Sequence, residues 1–75
     1  MPDKLDLHHT RHHLVRPKLI RFIEDRWDKG VEAHIITGHS DEMKAIVVQV
    51  LDEYKLEYRV GDWAGINMGF IKTEI

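Results

Sequence analysis

Seventy-five residues make one small domain with a single core to build, and 43% hydrophobic against 32% charged residues excludes an intrinsically disordered chain. The absence of cysteine excludes a disulfide framework and a thiolate zinc site; no apolar run reaches membrane-spanning length and residues 1–4 lack the features of a secretory leader, so a cytoplasmic protein without membrane contact is expected. A formal charge of −2 with six neutral histidines excludes broad, charge-driven nucleic-acid binding and confines any such contact to a local patch.

Residues 4–8 alternate Leu5 and Leu7 with Asp6 and His8, the period-2 pattern of a strand. From about residue 12 to 29, Val15, Leu19, Phe22, Ile23 and Trp27 recur at helical spacing as an inward stripe. Pro17 has no N–H and suits a first turn, which places the start near His13, and Gly30 ends the helix. Residues 31–37, β-branched at their end and bounded by glycines, read as a second, buried strand. Ser40 is the expected N-cap of a second helix, with Asp41 and Glu42 in its first turn. Ile46, Val47, Val50, Leu51 and Tyr54 form its inward stripe, and it ends near Lys55. Residues 56–60 make a third short strand, 61–65 a turn-rich loop, and 69–75 a fourth strand with Ile71, Thr73 and Ile75 on one face.

The order β-α-β-α-β-β predicts an α/β (α+β sandwich) fold: one domain over residues 1–75, with a four-stranded mixed sheet packed with two helices. Two successive strand-helix-strand units favour a parallel core, with the last two strands joined as a hairpin. The loops "HHTRHH" and "GHS" both leave the carboxyl ends of strands, where ligand crevices form in such sheets, so they are expected to be neighbours.

"LDLHH" at 5–9, "IITGHS" at 35–40 and "NMGFIKTEI" at 67–75 resemble, in order and spacing, the signature segments of the small MutS-related (Smr) domain. Asp6, His8, Thr37, Gly38, Asn67 and Gly69 match that pattern, whereas His9 and Ser40 stand where the family usually has glycine. The serine form followed by "DEMKAIV" is similar to short stand-alone members such as those of bacterial viruses. The resemblance implies a fold like the C-terminal domain of bacterial translation initiation factor three, and nucleic-acid binding with DNA nicking or RNA cleavage. It places Asp6 and His8 in the catalytic segment and Thr37, Gly38 and Ser40 in the one that contacts nucleic acid; beside them, His39 reads as a phosphate contact or an exposed loop residue, and Asn67 and Gly69 as shaping the turn into the fourth strand and bordering the site.

The chemistry can be argued from the side chains themselves. Phosphodiester cleavage needs a proton taken from a nucleophile and one given to a leaving oxygen, and an imidazole titrating near neutrality does both. His8 is placed for that role, with Asp6 orienting the ring or holding a cation, or accepting loop amides as a purely structural group. Gly38 lets a phosphate approach the backbone, Ser40 opens a helix whose free N–H groups favour anions, and Arg11 is the preferred cation beside the first loop. Asp41 and Glu42 oppose an anion there. His9, His12 and His13 have no convergent ligand spacing, so no metal site is assigned and a divalent cation is left open as a cofactor. Trp63 is read as core cover in preference to a base-stacking platform. Three functional classes follow: a nuclease, a nucleic-acid-binding module that does not cut, and a small protein-interaction adaptor. Oligomeric state is not legible.

Overall fold

The computed structural model describes residues 3–61 and 69–75. Its elements are β1 (Asp3–Asp6), α1 (His12–Asp25), β2 (Glu32–Ile36), α2 (Asp41–Glu53), β3 (Tyr58–Val60) and β4 (Phe70–Glu74). The fold is α+β, a four-stranded mixed sheet in the order β1-β2-β4-β3 with two helices.

β1 runs parallel to β2, while β4 is antiparallel to both β2 and β3. The expected parallel core is thus reduced to one pair. β4 pairs with β3 as anticipated, yet also takes a central position that separates β3 from β2. The physical reason lies in the side chains. Ile71, Thr73 and Ile75 bury one whole face of the β4 segment, whereas Tyr58 and Arg59 leave β3 exposed and suited to an edge.

Alternation along the strands sends Leu7, Ala33, Ile35, Thr37, Ile71 and Thr73 to one side of the sheet, all buried. Both helices cover that side. Val15, Leu19, Phe22 and Ile23 of α1 and Met43, Val47, Val50 and Leu51 of α2 join the strand residues in one cluster. Each large aliphatic in it contributes about 1.5–3 kcal/mol through removal from water. The opposite side of the sheet carries neither helix.

α1 stops at Asp25, four residues before the predicted end at 29. The N–H groups of Arg26 and Trp27 donate three residues back, to Ile23 and Glu24, which tightens the chain, and Asp28 then turns left-handed at φ 59°. Trp27 therefore leaves the inward stripe: it is 49% exposed and meets Tyr54 edge-on at 5.6 Å. Pro17 sits in the second turn of a helix that begins at His12, and removes the N–H that would bond the His13 carbonyl.

Ser40 caps α2 as predicted, its Oγ accepting the Met43 N–H at 3.2 Å. The other end closes with the Lys55 N–H donating to Asp52 and the Leu56 N–H to Leu51, a pattern that puts Lys55 at φ 57° where glycine is favoured. Lys55→Gly is accordingly expected to stabilise the protein by about 0.5–1 kcal/mol, read as a higher denaturation midpoint at unchanged slope. Across the helices, Arg16 of α1 grips both carboxylate oxygens of Glu53 on α2, which holds that carboxyl below its ordinary range.

Candidate functional site

β1 delivers the site through its alternation. Leu7, just past the strand, is fully buried, and its N–H donates to the Ile36 carbonyl at 2.8 Å, so the pleat continues for one more residue. Asp6 and His8 therefore both emerge on the side that carries neither helix, the face left uncovered among the described residues. A turn follows, closed by the Thr10 N–H donating to the Leu7 carbonyl at 2.9 Å.

Within that turn, Asp6 Oδ1 accepts the His8 backbone N–H at 3.1 Å and also meets His8 Nδ1. The side-chain hydrogen bond to His8, followed by the backbone one, holds the Asp6 carboxyl below the usual carboxylate range. Two consequences follow for the imidazole. Its Nδ1 is committed to a carboxylate that stays ionised, and Nε2 is the ring nitrogen left to exchange a proton.

The depressed Asp6 value has a definite sign. The pairing with His8 is fully present above the ordinary carboxylate pKa and is lost as pH falls through the lower, folded one. Carboxyl carbon chemical shifts followed against pH are expected to give Asp6 a lower midpoint in wild type than in His8→Ala. Equal midpoints would show that the pair does not form in solution.

β2 brings the second segment alongside. Gly38 is left-handed at φ 67°, the conformation that favours glycine, and a Cβ there would stand in contact with the His8 Cβ at 3.4 Å, which places the two loops side by side. The N–H groups of Thr37 and Gly38 both donate to the Gly69 carbonyl at 2.9 Å, which ties the third segment to the second. Thr37, expected as a nucleic-acid contact, is 1% exposed. Its hydroxyl donates to the Gly38 and Gly69 carbonyls at 2.9 and 3.3 Å, so its contribution is to hold the loop. Ser40 uses its Oγ lone pair on the helix cap, leaving its O–H as a donor.

His8, Gly38, His39 and Gly69 line one groove of about 440 Å³. Arg11 is exposed at the N-cap of α1 and is not among the residues lining it. Asn67 and Trp63 lie outside the described residues. The His9 ring packs against that of His8 with centroids 3.8 Å apart, and His12 Nδ1 lies 3.0 Å from a Glu42 carboxylate oxygen, so the start of α1 meets the first turn of α2. The two loops are neighbours, as their places at strand ends predicted.

Four residues complete the groove that the sequence reading did not single out: Lys4, His34, Ile36 and Phe70. The signal was available in the alternation. Lys4 lies two residues before Asp6, and His34 and Ile36 interleave with the buried Ala33 and Ile35. What could not be read was which strands would be adjacent. Among the described residues no group of three or more histidine, aspartate or glutamate side chains is arranged to hold a metal ion. No described helix is long and apolar enough to cross a membrane.

Fold and site together define a small α+β domain with an aspartate–histidine pair at the carboxyl end of its parallel strands, opening into a groove on the uncovered sheet face. Comparison with family models, curated proteins and solved structures returns no match, so the functional reading rests on this chain's own residues and geometry.

Proposed function

We propose that the protein is a cytoplasmic, Smr-like nucleic-acid-binding domain that acts as an endonuclease, with His8 as the proton-transferring residue and Asp6 as its positioning partner. The observation that carries this reading is the His8 imidazole lining a groove while Asp6 occupies its Nδ1. Such a pair fixes the ring's tautomer and orientation and leaves Nε2 to move a proton. Further support comes from the convergence of three separated segments, through His8, Gly38 and Gly69, on the same groove.

RNA is the substrate this pair can cut with the fewest additional groups. Nε2 takes the proton of a 2′-hydroxyl, the 2′-oxygen bonds to the adjacent phosphorus, and the P–O5′ bond breaks as solvent water protonates the 5′-oxygen, giving a 2′,3′-cyclic phosphate and a 5′-hydroxyl, after which the imidazolium returns its proton to the hydroxide. DNA nicking needs a separately held water as nucleophile. Lys4, on the same groove, supplies positive charge for the phosphate oxygens.

A nucleic-acid-binding module that does not cut is the second reading. The side-chain exposure of the pair, 39% for His8 and 55% for Asp6, favours it, since solvent weakens electrostatic stabilisation of a transition state. Labelled RNA and supercoiled DNA incubated with wild type and His8→Ala, with chelator or with added magnesium or manganese, separate the two. Cleavage by wild type and not by the variant supports the nuclease, and salt-sensitive binding without cleavage supports the module. Binding of neither acid leaves a protein-interaction adaptor.

A further inference from the structure

The strand registers align side chains across the uncovered face in rungs. Lys4 stands opposite His34, His34 opposite Lys72, and Lys72 opposite Arg59, so one rung crosses all four strands. With neighbouring strands about 4.8 Å apart, that rung is about 14 Å of surface carrying three fixed cations and an imidazole. The next rung toward the His8 groove places Asp6, Ile36 and Phe70 in register.

Charge on this face is arranged differently from charge on the helical side. Arg16 is paired with Glu53 and Arg26 with Asp3, whereas Lys4, Lys72 and Arg59 form no ion pair among the described residues. Glu32, Glu57 and Glu74 line a second groove together with Lys72 and Arg59, on the side of the rung away from His8, so an anion on the rung is favoured toward the Lys4 end and disfavoured beyond Arg59 and Lys72. His34, in the middle of the rung, faces the Glu32 carboxylate and pairs with it when protonated. Its Nε2 is buried without a hydrogen-bond partner among the described residues, with Glu32 at 3.7 Å, and its ring lies 5.4 Å from that of Phe70.

We infer that this sheet face, uncovered among the described residues, is the track of an unpaired nucleic-acid strand, its phosphates on the Lys4–His34–Lys72–Arg59 rung and its bases against Phe70 and Ile36. The inference rests on the nucleic-acid reading of the His8 groove and names its substrate class. A duplex keeps its bases stacked inside and offers an aromatic ring nothing to stack on, whereas unpaired bases seek such platforms. Lys72 Nζ, 5.9 Å from the centre of the Phe70 ring, places a phosphate-binding charge beside the base-binding surface. A strand whose phosphates follow the rung to Lys4 reaches the His8 groove, which Lys4 also lines.

Fluorescence anisotropy with labelled oligothymidylate and 2′-O-methyl oligouridylate, neither of which carries a 2′-hydroxyl, tests binding without cleavage, against a duplex of the same length. Wild type is expected to hold both single strands at least about tenfold more tightly than the duplex. Lys72→Ala and Arg59→Ala should each reduce the slope of log affinity against log salt by about 0.7. Phe70→Leu should weaken single-strand binding about tenfold at unchanged slope, while Lys18→Ala on the helical side should behave as wild type; circular dichroism checks that each variant is folded. Duplex preference, or sheet-face variants that bind like wild type, overturns the inference. If RNA is still cut in a His8-dependent way in that case, the nuclease reading survives alone. Loss of binding in the sheet-face variants with no cutting by wild type upholds the track and removes the nuclease. Binding of no probe overturns the inference, and together with no RNA cutting by wild type it removes the nuclease as well.

Discussion

His8→Ala is expected to lower the single-turnover rate of RNA cleavage by about 10²–10⁴-fold while leaving thermal unfolding unchanged. The magnitude is that of losing one positioned proton-transfer group. The unchanged stability follows from position: His8 is an exposed side chain beyond the end of β1, and its removal opens no cavity. Asp6→Asn should lower the same rate by less, because the imidazole remains while its fixed orientation and tautomer are lost. Its effect should fall on kcat with KM held, since Asp6 acts through His8 and its replacement removes no cation from the groove. Equal cleavage by wild type and His8→Ala would assign the activity to another site or to a contaminant.

The elements that could be read from the chain are those in which local pattern and tertiary environment agree. Ser40 caps α2 and Val47, Val50 and Leu51 face inward because a good cap, a helical period and burial all select the same register. Asp6 and His8 share a side only if the strand stays regular, and alternation does hold through Leu7, whereas the hydrogen bonds between them belong to the turn and were not legible. The end of α1 was not, since Trp27 continues the helical period while the backbone has already tightened at Arg26 and Trp27 and turns left-handed at Asp28. Apolar period alone cannot distinguish a tryptophan in the core from one at its rim.

Sheet order was the largest gap, and it concealed half of the groove. Nothing local to β4 says that it will lie between β2 and β3, yet that placement sets Phe70 opposite Ile36 and Lys72 between His34 and Arg59. Each of those residues taken singly reads as an ordinary solvent-facing strand position. Only the cross-strand register turns them into a surface. Thr37 illustrates the converse: its hydroxyl could be read as a ligand contact, and the structure spends it on the Gly38 and Gly69 carbonyls.

Leu7→Ala is expected to cost about 2–5 kcal/mol, the usual range for deleting a buried leucine side chain beyond its β-carbon. A 75-residue domain has about 4–11 kcal/mol to lose at typical stabilities per residue, so the variant stands close to unfolding. Urea titration should show a lower midpoint at unchanged slope. The position gives this variant a second consequence. Leu7 is fully buried between the two members of the pair, so the cavity forms beneath the strand end that holds Asp6 and His8. Leu19→Ala supplies the comparison: Leu19 is equally buried, on α1, and flanks neither site residue. At conditions where both variants are fully folded, Leu7→Ala should cleave more slowly than Leu19→Ala. Equal rates would mean that the turn from Leu7 to Thr10 and the Asp6 hydrogen bonds position His8 without help from the core, and a loss of stability below about 1 kcal/mol would mean that Leu7 is not packed beneath the site.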